Sequence, residues 1–161
     1  MKRQMKRIKQ LLSTADTEAV LNRCTSGVMG LNGDDGYPYT VPLSYVYSDG
    51  KIYFHSGKNG YKVECLMNNP KVSFTVIDED MIVSEEFTTY FRSAIITGKT
   101  RIVDGDEYYK AFKLIVEKYS GDLSEEVKTK AINECKNAYI IAIDITSMTG
   151  KEAIEFIKAK S

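Results

Sequence analysis

The chain has 161 residues, 22 of them basic and 22 acidic, and 43% of its side chains are hydrophobic. That is the size of a single domain able to bury a core, and the balanced charge argues against a nucleic-acid binder, which needs a basic excess. Three separated cysteines and one histidine form no metal-type cluster or disulfide framework, so the expectation is a cytoplasmic protein that keeps Cys24, Cys65 and Cys135 as buried free thiols.

The basic start, Lys2 to Lys9, reads as one solvated face of a short helix, with Met5, Ile8, Leu11 and Leu12 at helical spacing. No continuous apolar stretch follows it and no run approaches a membrane span, so neither a leader nor a membrane partner is expected. Asp16 reads as the N-cap of a second helix, with Ala19, Val20 and Leu21 on its apolar side. From Thr25 the period changes. Val28–Leu31 is a predicted strand, 32–36 a turn cluster, and Tyr37–Tyr47 a longer strand. Asp49-Gly50 turns back into Ile52–His55.

Pro38 and Pro42 cannot donate to a ladder, so the long strand is predicted at an edge or with a bulge. The backbone near Val41, Leu43 and Ser44 is then free either to meet a flat heterocycle or simply to face water. Tyr39 and Tyr45 share the parity of Val41 and Leu43 and fit site lining or core equally.

The most informative stretch is Ile52-Tyr53-Phe54-His55-Ser56-Gly57-Lys58-Asn59-Gly60-Tyr61-Lys62. It reads as strand, glycine turn and helix start. Unpaired N–H groups at a helix start attract an anion, and Ser56, Lys58 and Lys62 all lie within reach, which makes phosphate the natural ligand. A strand, turn and helix with plain surface lysines fits the same residues. The turn carries neither the Walker nor the GxGxxG pattern.

The remaining elements follow in order. The helix ends at Asn69-Pro70, Val72–Ile77 is a strand, and Asp78–Glu86 reads as an acidic loop or edge. Thr88–Val103 is a long strand, two helices follow from Asp106 and from Ser124 to cover the exterior, and Ala138–Ile145 is the last strand. Thr149-Gly150 leads to a terminal helix. One domain, 1–161, is expected: a mainly β antiparallel meander of about six strands closed into a small barrel, with peripheral helices over 1–15 and 149–161.

The order Phe54-His55-Ser56-Gly57, Gly60-Tyr61-Lys62, Leu66 and Asn69-Pro70-Lys71-Val72-Ser73-Phe74 resembles the FMN-binding split-barrel family related to pyridoxamine 5′-phosphate oxidase. It looks most like the 5-nitroimidazole-resistance subgroup, to whose long strand Arg92-Ser93-Ala94-Ile95-Ile96-Thr97-Gly98 is also similar. The resemblance implies a six-stranded split barrel and a homodimer with FMN at the interface. It places the phosphate on Ser56 and Lys62, the flavin ring along Val41, Pro42, Leu43 and Ser44, Arg92 and Ser93 near the cofactor, and His55 beside flavin or substrate. Tyr61 stands where the subgroup often carries arginine, which shifts the phosphate charge to Lys62 and Lys58. The end, Thr149–Ser161, does not match the basic residues that pyridoxamine 5′-phosphate oxidase proper uses for its substrate, so vitamin oxidation gains no support.

The implied activity is flavin-dependent reduction of a small electron-poor molecule, a nitroaromatic or a quinone, with His55 as proton donor. Competing expectations are a flavin carrier or redox sensor without turnover, and the same barrel holding haem or a deazaflavin. A lone histidine at a strand end also fits plain structural hydrogen bonding.

Overall fold

The computed structural model describes residues 5–134 and 137–159. Its frame is one antiparallel sheet of seven strands: β1 (Ser26–Asn32), β2 (Pro38–Ser44), β3 (Val46–Ser48), β4 (Lys51–Ser56), β5 (Lys71–Val83), β6 (Thr88–Val103) and β7 (Tyr139–Glu152). The spatial order is β2-β1-β5-β6-β7-β4-β3. Its two edges, β2 and β3, are consecutive in the chain and separated by Tyr45 alone. The sheet therefore curls until its edges meet at one corner, as a barrel that is split beyond it.

Seven strands stand where six were expected, because the predicted strand 37–47 breaks at Tyr45. The Tyr45 ring is fully buried and its hydroxyl donates to the Leu21 carbonyl at 2.8 Å. Its backbone leaves the ladder without being orphaned. The N–H donates to the Tyr119 hydroxyl at 2.8 Å, and that hydroxyl lies 2.6 Å from the Tyr45 carbonyl and also meets the Thr25 carbonyl, giving its proton to one at a time. Lys118 places its ammonium 4.4 Å from the Tyr45 ring centroid and donates to the Cys24 carbonyl at 2.6 Å. Two neighbouring residues of one helix thus hold the corner.

The connectivity is not a plain meander. β5, β6 and β7 follow one another, but β1 pairs with β5 and β4 pairs with β7. The β3–β4 turn is the predicted Asp-Gly hairpin: Asp49 and Gly50 have φ of 48° and 74°, as a two-residue turn between twisted strands requires.

Among the described residues five α-helices surround the sheet: α1 (Thr14–Arg23), α2 (Tyr61–Asn68), α3 (Gly105–Ser120), α4 (Glu125–Glu134) and α5 (Ile154–Ala159). The N-cap of α1 is Ser13 rather than Asp16. The Ser13 hydroxyl accepts from the Asp16 N–H at 3.0 Å and donates to the Asp16 carboxylate at 2.7 Å, so Asp16 completes the cap from inside the first turn. Val20 and Leu21 are buried as expected, whereas Ala19 is exposed.

The described part of 1–15 is not an extended helix. It holds one 3-10 turn at Ile8–Gln10 and then runs against β7, with the Leu12 N–H on the Gly150 carbonyl at 3.0 Å. Gly150 likewise does not break a strand. β7 continues through it to Glu152, and a Cβ there would meet the Thr17 hydroxyl and approach Leu12 Cβ to 2.9 Å. That glycine permits close packing of the N-terminal segment.

Two cores result. Inside the barrel, Met29, Leu31, Phe54, Phe74, Val76, Ile96 and Ile143 pack with Tyr45. Outside it, Ala111, Phe112 and Val116 of α3 cover Val46, Tyr53, Ile140 and Ala142, the supporting role expected of that helix.

Candidate functional site

The strand–turn–helix stretch folds as its residues dictate. Gly60 caps α2 with φ of 111°, and no atom lies within 4 Å of where its Cβ would be, so the backbone rather than space demands glycine. No side chain caps the helix. The Gly60 carbonyl takes the Val63 and Glu64 N–H groups, at 2.9 and 3.1 Å, leaving the earlier ones for an external acceptor.

Lys62 lies within this first turn. Its ammonium is 5.7 Å from the Phe54 ring centroid, the side chain is half-buried, and burial lowers its pKa. Among the described residues no carboxylate pairs with it. A partly desolvated cation without an acid is poised for an anion.

The neighbouring candidates divide by strand parity. Ser56 shares one face of β4 with Phe54 and is buried at 4% exposure, its hydroxyl donating to the Gly57 carbonyl at 3.0 Å. Lys62 and Ser56 therefore stand on the same side of β4. His55 points the other way, exposed and with no partner among the described residues. Lys58 is exposed, lies 5.8 Å from the Tyr139 ring centroid, and lines a depression that also holds Glu64, so it is less committed to an anion than Lys62.

Tyr61 ties the β1–β2 turn to α2. Its hydroxyl donates to the Asp34 carboxylate at 2.7 Å and accepts from the Asp34 N–H at 3.1 Å. The carboxylate pushes the phenol up to about 12. Its ring also packs edge-on against Tyr39, 5.0 Å between centroids. Tyr39 and Tyr45 both serve core packing.

β2 is an edge strand, as its prolines predicted. The Gly33 N–H donates to the Tyr37 carbonyl at 3.1 Å, and alternation then turns the backbones of Tyr39, Val41 and Leu43 toward β1. The open side carries the groups of Thr40, Pro42 and Ser44. Val41 and Leu43 supply side chains packed on the core, not free backbone. Thr40 was missed, although the spacing of Pro38 and Pro42 held the signal: both prolines stand where no ladder N–H is needed.

Pro42 and Ser44 face outward, as does the half-buried Ser93 on β6. Exposed Val28, Ile77 and Ile95 belong to the same outer face, at 42%, 65% and 54% exposure. Arg92 is elsewhere. It bonds Asp78 at 3.1 Å and Glu152 at 3.1 Å, and lies 4.7 Å from the Phe156 ring centroid.

Asp78 is a further departure from the sequence reading, which placed it in an acidic loop or edge. β5 continues past it to Val83, and a register shift between Ile77 and Glu79 makes it the extra residue of a bulge. The bulge brings its side chain, 7% exposed, to Arg92 and to both Nε and Nη2 of Arg23, at 2.6 and 2.5 Å. Arg23 chiefly holds its pKa below the usual aspartate range. Cys24, half-buried, lies 3.4 Å from Asp78, and burial first and then that contact push its thiol up to about 11, which leaves it unreactive. Cys65 is buried, and Cys135 lies outside the described residues.

The family model of pyridoxamine 5′-phosphate oxidase matches residues 13–152. The chain belongs to this family. Its split barrel also matches solved structures. One is a candidate 5-nitroimidazole antibiotic resistance protein from Bacteroides thetaiotaomicron, 25% identical over 88% of this chain and 86% of that one, with a TM-score of 0.73. A FAD-binding protein from Mesorhizobium loti is 26% identical over 89% and 97% of the two chains, with a TM-score of 0.60. The FAD and heme binding protein from Mycobacterium smegmatis, 16% identical over 95% and 80% at a TM-score of 0.70, shares the fold. No curated protein matches significantly. In this chain the helix start carries Lys62, and its neighbour Tyr61 is bound within the protein. Among the described residues, no helix is long and apolar enough to cross a membrane, and no cluster of histidine, cysteine and carboxylates is placed to hold a metal ion.

Proposed function

We propose that this protein binds a flavin, FMN, and reduces small electron-poor molecules such as nitroaromatics or quinones as a homodimer. The observation that carries the reading is Lys62: a half-buried ammonium without a carboxylate, in the first turn of an uncapped helix. A phosphate monoester there gains a charge-assisted hydrogen bond and the positive end of the helix. The donor and acceptor groups on the open side of β2, at Thr40, Pro42 and Ser44, are of the kind a flat ring with its own amide edge requires. A likeness to proteins named for FAD binding and for nitroimidazole resistance supports the same reading.

A bound flavin supplies the electron or hydride transfer. The chain's own part is to fix the phosphate with Lys62, orient the ring against the edge of β2, and provide a proton. His55, exposed and unpartnered among the described residues, is the group placed to give one. The outer face bearing Val28, Ile77, Ile95 and Ser93 offers apolar surface to a second copy, which would shield the ring from water.

The test begins with the visible spectrum of the purified protein and the mass of its released cofactor. A flavin spectrum with an FMN mass supports the proposal. A colourless protein that takes up no added flavin refutes it. Rapid mixing with NADPH and then a nitroaromatic separates enzyme from carrier, since a carrier shows no acceptor-dependent reoxidation.

A further inference from the structure

A groove of about 560 Å³ lies at the other end of β2 from the corner. It crosses β1, β2, β5 and β6, and two of its walls are lysines. Lys71 and Lys99 are register partners on neighbouring antiparallel strands and both are exposed. Directly opposite residues bring their Cβ atoms to about 4.5–5.5 Å, where like charges repel.

Among the described residues no ion pair relieves that repulsion. No carboxylate lines the groove, and among the described residues neither ammonium has a partner. Asp144, the register partner of Lys99 on its other side, has both oxygens on Arg101, at 2.7 and 3.2 Å. The backbones are held in place as well. Asn69 accepts from the Lys71 N–H at 3.0 Å, Asn32 donates to the Lys71 carbonyl at 3.1 Å, and the Thr100 N–H reaches the Pro70 carbonyl at 2.8 Å. Two hydroxyls in the lining, Thr40 and Ser73, are without a partner among the described residues. The floor is kept low by Gly30, whose Cβ would stand 2.7 Å from the Ser73 hydroxyl.

Two ammonium groups without an acid, carried on strands whose backbone is held and sharing a groove with hydroxyl donors, form a receptor for a dianion. We propose that the groove binds a phosphorylated ligand, one phosphate bridging Lys71 and Lys99 with the Ser73 hydroxyl on the same strand as Lys71. This site is separate from the one at Lys62 and stands whether or not a flavin binds there.

Calorimetric titration of the full chain with inorganic pyrophosphate tests it. The expected result is a saturable event that persists in Lys62→Ala and is weakened at least tenfold in Lys71→Gln and in Lys99→Gln. Both lysines are exposed, so the variants should fold, and ligand-free Lys99→Gln should melt no lower than the wild type. Lower melting would show that the two charges do not repel and would overturn the premise. Absence of binding, binding retained in the Lys71→Gln, Lys99→Gln double variant, or loss only in Lys62→Ala would overturn the site. ADP as a second probe identifies the source: equal affinity means that phosphate alone is read, and tighter ADP means that the groove reads a nucleotide, either result supporting the site.

Discussion

Arg92 and Lys62 were both marked by sequence as cofactor cations, and the fold treats them in opposite ways. Arg92 meets two buried carboxylates, Asp78 and Glu152, and the ring of Phe156. Lys62 is also half-buried, yet among the described residues it meets an aromatic face and no acid. A cation already neutralised inside the fold contributes to stability, whereas one left unneutralised beside free N–H groups contributes to binding. Charge alone does not mark a site. The count of partners does.

The contrast is open to attack from the Arg92 side first. Arg92→Met takes one cation from both Asp78 and Glu152, at 7% and 4% side-chain exposure, and should cost about 2–4 kcal/mol, somewhat less than breaking a fully buried pair because Arg23 still holds Asp78. Chemical denaturation measures it. A loss within experimental error would mean that Arg92 is free for a ligand after all.

The corner comes next. Tyr119→Phe removes the hydroxyl that serves both backbone groups of Tyr45, and a loss of about 1–3 kcal/mol is expected, read by the same denaturation. Unchanged stability would show that water serves the corner equally well.

Acid sharpens the contrast further. The folded pKa of Asp78 lies below the ordinary aspartate value, chiefly through Arg23, so below roughly pH 4 the unfolded chain binds the extra proton first. The contribution of Asp78 is fully present above the unfolded value and is lost as pH falls through the folded one. Asp78→Asn should flatten that part of the stability–pH curve. An unchanged slope would remove Asp78 from the account.

The smallest structural effect belongs to His55. His55→Gln removes an exposed side chain without partners among the described residues, and stability should change by less than about 0.5 kcal/mol. Turnover of a nitroaromatic should fall with flavin affinity unchanged. Full turnover would return His55 to a bystander.

Much of this frame was legible locally. Thr88–Val103 appears with the bounds its β-prone run predicted, and the Asp49-Gly50 turn carries its own φ requirement. The helix start that presents Lys62 is set by Gly60 and was equally readable. What escaped depends on distant partners. The break at Tyr45 needs Tyr119, 74 positions away, and the burial of Asp78 needs Arg23, 55 away. Strand parity was readable at β2 from Pro38 and Pro42, but the inward turn of Ser56 required knowing which face of β4 meets the core.

Fluorescence titration of FMN into the wild type and Lys62→Ala, with melting of the ligand-free proteins alongside, probes the helix start itself. Loss of one charge-assisted hydrogen bond, about 1.5–3 kcal/mol, predicts roughly ten- to a hundredfold weaker binding at unchanged or higher melting temperature. Equal affinity in the two proteins would contradict the assignment of Lys62 to the cofactor phosphate.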